Sequence, residues 1–101
     1  MLLCVSVLSG CGMKDLPEGD FIKSADSPDG TYRVNAYLCN GGATVDYSVR
    51  GELETTATGE KRNIYWCYHK HDAEIEWVDN QTVIINGIEL DVTKDHYDWR
   101  E

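Results

Sequence analysis

Cys67, His69 and His71 occupy alternate positions of the run Cys67-Tyr68-His69-Lys70-His71. Thiolate and imidazole are the groups that bind zinc or copper and that pair for nucleophilic catalysis. In an extended strand, alternate side chains share a face but stand about 6.7 Å apart, at about 3.3 Å per residue. Two neighbours can converge on one ion, whereas three in a row span too far for bonds of about 2.0–2.3 Å. His71-Asp72 also reads as a turn, which re-aims the last ligand. No metal and no cofactor is therefore expected, and the thiol and imidazoles point past one another. Nothing else in the chain supplies a catalytic pattern: there is no G-x-S-x-G elbow, no H-E-x-x-H and no phosphate-cradling glycine loop. No catalytic residue is assigned. A small secreted or anchored enzyme using Cys67, His69 and His71, dependent on metal or thiol, is the alternative to a protein that only binds.

Cys11 asks for different chemistry. Met1–Leu8 carries no charge and is almost wholly apolar, the character of a signal-peptide core, yet it is too short to span a bilayer, which takes about 20 apolar residues. Leu8-Ser9-Gly10-Cys11 then follows, and it resembles the lipobox of bacterial lipoproteins: an aliphatic residue, two small ones and the cysteine. A thiol carries diacylglycerol as a thioether, and small residues let a processing peptidase approach the backbone. No Lys or Arg precedes the apolar run, so a basic leader is expected upstream of Met1. The expected organisation is residues 1–10 as a signal remnant, 11–20 as the lipidated cysteine with a polar tether, and 21–101 as the folded domain. One acyl chain holds a membrane only with K of about 10⁴ M⁻¹, so the two-chain lipid on Cys11 is what makes the anchor stable.

The oxidising compartment that such an anchor implies would permit a disulfide between Cys39 and Cys67. The strands that carry them are separated by a third strand, giving about 9–10 Å of lateral distance where a disulfide needs Cα atoms within about 7 Å. No disulfide is expected. With 9 Lys+Arg against 18 Asp+Glu the net charge is −9, and no basic cluster exists, which argues against binding nucleic acid (DNA or RNA) or anionic lipid through the body of the domain.

The elements that must position these residues follow a period of two, so the chain is expected to be all-β, a single small domain built as an antiparallel meander of six to seven strands. Ser27-Pro28-Asp29-Gly30 is a turn. Tyr32–Cys39 alternates with Tyr32, Val34, Ala36 and Leu38 on one side. Asn40-Gly41-Gly42 turns the chain into Thr44–Glu54, whose Val45, Tyr47, Val49 and Leu53 share a face. Asn63–Lys70 forms a fourth strand, with Ile64, Trp66 and Tyr68 expected inward. Asn86-Gly87 is a strong hairpin signal, because a type I′ turn needs positive φ at both central residues.

Several of these stretches together carry a family likeness. Ser27-Pro28-Asp29-Gly30-Thr31-Tyr32, Asn35 through Asp46, Val49-Arg50-Gly51-Glu52, Asn63-Ile64-Tyr65-Trp66, Asn86-Gly87 and Tyr97-Asp98-Trp99-Arg100 resemble the domain of unknown function 5412 of bacilli and their relatives. The resemblance implies a small exported or membrane-anchored protein and no assigned activity. The combined expectation is a monomeric lipoprotein on the outer face of the cytoplasmic membrane, attached through the lipid on Cys11. It binds an extracytoplasmic protein or ligand through Tyr37, Arg50, Tyr65 and His69 on the outward face, unless Tyr97 and Trp99 fold back over them.

Overall fold

The computed structural model describes residues 16–40 and 46–101. Cys11 and the segment before it, and the Gly41-Gly42 turn with Val45, lie outside those residues. The described chain forms eight strands: β1 (Asp20–Asp26), β2 (Tyr32–Asn40), β3 (Tyr47–Thr55), β4 (Glu60–Tyr68), β5 (Ile75–Trp77), β6 (Thr82–Ile85), β7 (Ile88–Asp91) and β8 (Tyr97–Asp98). The all-β expectation holds, but a single meander does not form. Two sheets are present, one of five strands in the order β1-β2-β3-β4-β8 and one of three in the order β5-β6-β7. After β4 the chain crosses to build the small sheet and returns as β8 parallel to β4, with Tyr65 opposite Tyr97 and Trp66 opposite Asp98. A parallel neighbour requires such a crossover, since a tight hairpin can only join antiparallel strands.

Apolar residues on the facing surfaces of the two sheets make the core. Val34, Ala36, Val49, Leu53, Ile64, Tyr65 and Cys67 of the large sheet pack with Ala73, Val83, Ile85, Leu90 and Val92. Gly51 is what allows the closest approach, because a Cβ there would stand 2.9 Å from Tyr65 Cβ and 3.3 Å from Ile85 Cδ1. The Ser27–Gly30 turn closes as expected, with Gly30 N–H donating to Ser27 O at 2.9 Å and Gly30 at φ 77. Asn86 and Gly87 take φ 50 and 85, the left-handed pair a type I′ turn needs.

The inward face assigned to β4 requires correction. Gly51 pairs with Tyr65 and the next residue, Glu52, pairs with Asn63, so Ile64 is an extra residue on β4, a β-bulge. One inserted residue exchanges the two faces of everything beyond it. Ile64 is buried as expected, but Tyr65 and Cys67 point into the core while Trp66 packs on the other face with Cys39 and Leu16. Tyr65, expected outward as a recognition residue, is 0% exposed. Tyr47, expected inward, is 37% exposed at the start of β3. A second register shift between Phe21 and Lys23 leaves Ile22 as the extra residue of β1.

Candidate functional site

On the outer face of the large sheet, Arg50 is the organising side chain. Its position on β3 is opposite Tyr37 of β2 and Trp66 of β4. The guanidinium lies 4.1 Å above the Tyr37 ring, and Nη1 donates to Asn63 Oδ1 at 2.8 Å. A further contact runs to Glu52 Oε2 at 3.4 Å. The other edge of the fork donates to the backbone carbonyl of Glu18, from Nη2 at 2.7 Å and from Nε at 3.3 Å. Arg50 is therefore only 6% exposed. The expected recognition arginine is instead a clamp that binds the chain's own residues 16–19 across the sheet. Leu16 packs on Cys39 and Trp66, and the Cys39 thiol donates to Pro17 O at 3.6 Å. Burial pushes that thiol's pKa up, which keeps the proton on the donor. Gly19, at φ 77, completes the strap, because a Cβ there would come within 2.6 Å of Cys39 Sγ.

Tyr37 keeps an accessible side. Phe21, 58% exposed, meets it edge-on at 5.8 Å between ring centres. The Tyr37 hydroxyl donates to Glu52 Oε1 at 3.5 Å, and Asn35 Nδ2 donates to Glu52 and Glu54 at 3.2 and 3.1 Å. The result is a polar network laid over rigid strands.

His69 belongs to a separate cluster. It follows directly on β4 in the left-handed region at φ 64, uncommon for a side-chain-bearing residue but tolerated by His more than by most. Its N–H and that of Lys70 both reach Tyr47 O, at 2.9 and 3.3 Å. The turn places His69 Nδ1 2.8 Å from Asp46 Oδ2 and His71 Nε2 2.6 Å from Asp46 Oδ1. Asp46 Oδ1 also accepts the Tyr47 N–H at 2.8 Å, and Asp46 N–H donates to the Tyr68 hydroxyl at 3.1 Å. Hydrogen bonds from His71, and then from His69, hold the Asp46 carboxyl well below the usual carboxylate range. Around this triad, His71 meets Tyr47 edge-on at 5.3 Å and Trp99 stacks on Tyr68 at 5.2 Å.

Of the four expected surface residues, only Tyr37 and Arg50 come together; Tyr65 is in the core and His69 at the strand end. The C-terminal segment divides between the two faces: Tyr97 stacks on Tyr65 at 5.6 Å, and Trp99 covers Tyr68. Asp46 belongs to no chemical motif in the sequence and is brought to the histidines only by the strand pairing. The pairing Ser48–Tyr68, extended by two residues, would have placed it between His69 and His71.

Cys67 does not join the histidines, for it is buried in the core cluster while both rings are exposed. Cys39 and Cys67 are both free and sit on opposite faces of the sheet, Cys39 beneath the strap and Cys67 in the core. Among the described residues, no three of the His, Cys, Asp and Glu side chains are arranged to hold a metal ion, and no helix is long and apolar enough to cross a membrane. An open groove of about 630 Å³ separates the edge strand β1 from β5 and β6, with Lys23, Glu74 and Glu76 in its walls.

No curated protein and no solved structure matches the chain. One family profile matches, over residues 3–101, a span that contains both the Asp46 cluster and the strap on Arg50. The chain belongs to that family, the family of unknown function DUF5412.

Proposed function

We propose that this protein is a lipoprotein held by a lipid on Cys11 at the outer face of the cytoplasmic membrane, where it acts as a monomeric binding domain and catalyses nothing. The observation that carries the binding reading is the outer face of β1–β3. There Phe21 and Tyr37 present aromatic surface beside the Asn35–Glu52–Glu54 network, all fixed by hydrogen bonds and ring contacts before any partner arrives. Preorganised aromatic and polar groups on strands give contact area at little entropic cost. The enzymatic alternative is weakened, since the nucleophile it needs, Cys67, is in the core and its two imidazoles are taken up by Asp46. The anchor rests on Leu8-Ser9-Gly10-Cys11.

Mass spectrometry of protein purified from its own cells tests the reading. The expected result is a chain beginning at Cys11, heavier by a diacylglyceryl or triacyl group, that partitions into detergent. Cys11→Ala should release it. An unmodified Cys11 within a chain that keeps Met1 would overturn the anchor.

A further inference from the structure

The strap decides how such an anchor would present the domain. Leu16 is seated on Cys39 and Trp66, and Glu18 is clamped by Arg50, so the tether does not swing freely from Asp20. The stretch from Cys11 to Leu16 cannot exceed about 18 Å even fully extended. The nine-residue strands beneath it run about 30 Å. Leu16 lies at the end of the large sheet where β1 begins, β2 ends, β3 begins and β4 ends, since Cys39 pairs with Ser48 and Ser48 with Tyr68. That same end carries the exposed aromatics of the sheet: Phe21 at 58%, Tyr47 at 37% and Trp99 at 43%.

We propose that this end of the sheet, with Phe21, Tyr47 and Trp99, is a docking surface for the lipid headgroup layer into which Cys11 is anchored. Trp and Tyr favour that layer, where an amphipathic ring keeps its polar edge wet. Charge is not the attraction: at this end Lys70 is outnumbered by Asp46, Glu18, Asp20 and, two residues past Trp99, Glu101, so the rings and the short tether are what hold the domain to the layer. The inference rests on the proposed anchor and adds the partner of one edge, leaving the Asn35–Glu52–Glu54 network turned toward the aqueous side.

The test uses membrane-purified full protein reconstituted in phosphatidylcholine–phosphatidylglycerol vesicles whose acyl chains are brominated near the headgroup. Tryptophan emission should be quenched, and Trp99→Phe, which keeps a ring on Tyr68, should remove at least half of the quenching. Trp77→Phe, on the small sheet, should leave it unchanged. Inserting about 20 Gly/Ser residues between Asp15 and Leu16 should preserve quenching, since the aromatics themselves hold the surface. Protein that carries its lipid and floats with vesicles, yet shows no quenching assignable to Trp99, overturns the docking surface and leaves the anchor standing. Protein that carries no lipid and does not float overturns both.

Discussion

Tyr65 and Trp66 are adjacent aromatics with opposite surroundings, and truncating each in turn reads the register of β4 directly. Tyr65 is enclosed by Gly51, Ile85 and Tyr97, and its hydroxyl accepts a hydrogen bond from Asn86 Nδ2 at 3.2 Å. Burial pushes its phenol well above the ordinary range, so it stays neutral. Tyr65→Ala should cost about 3–5 kcal/mol, and Trp66→Ala, which opens only the strap side, should cost less. Urea melts of the two variants give the comparison. Tyr65→Phe removes one hydrogen bond and should cost about 0.5–1.5 kcal/mol. Asp46 makes a prediction in pH. Its native pKa is lowered, so its contribution to stability is complete above the unfolded value of 3.8 and is lost as pH falls through the lower native one. Asp46→Asn should therefore flatten the acid limb of a stability profile below about pH 4.

Among the elements, β2 and β3 were legible because their apolar and polar residues alternate. β4 was not, because Ile64-Tyr65-Trp66-Cys67-Tyr68 is apolar or aromatic throughout and a run without alternation carries no phase. Only the pairing with β3 reveals the extra residue. The signal lay in Gly51, an unexplained glycine in the middle of an amphipathic strand, which marks a close approach. Gly51→Ala should destabilise by about 1–3 kcal/mol, as expected for overpacking against Tyr65 Cβ. The strap was likewise invisible, since Leu16-Pro17-Glu18-Gly19 has the composition of a tether and docks through backbone carbonyls that no composition records. Arg50→Ala should release it, seen as faster amide exchange at Glu18 and Gly19 and a loss of about 1.5–3 kcal/mol. Glu18→Ala should leave both unchanged within about 0.5 kcal/mol, because the accepting oxygen belongs to the main chain.

For the molecule as a whole, expecting one meander failed where the chain after β4 had to cover the inner face that β1–β4 could not cover themselves. The small sheet of β5–β7 solves this, and β8 locks the return. Asp98 anchors that strand through Arg100, whose Nε and Nη2 donate at 2.8 and 2.5 Å, and Trp99 N–H bonds to Trp66 O at 3.0 Å. Deleting residues 97–101 would uncover both Tyr65 and Tyr68, and loss of near-ultraviolet circular dichroism should report it. Trp66 thus receives both ends of the described chain, Leu16 on its ring and Trp99 on its carbonyl. Neighbouring hairpins can close as soon as they are made, whereas these two contacts join segments far apart in sequence and must wait. Leu16 has only Cys39 to pack on until β4 brings Trp66, and the end of the sheet is not finished until Trp99 has joined it. The surface proposed to meet the membrane is consequently a property of the assembled sheet alone: a chain that stops short of Trp99 cannot display it, and folding itself would decide when the domain becomes competent to dock.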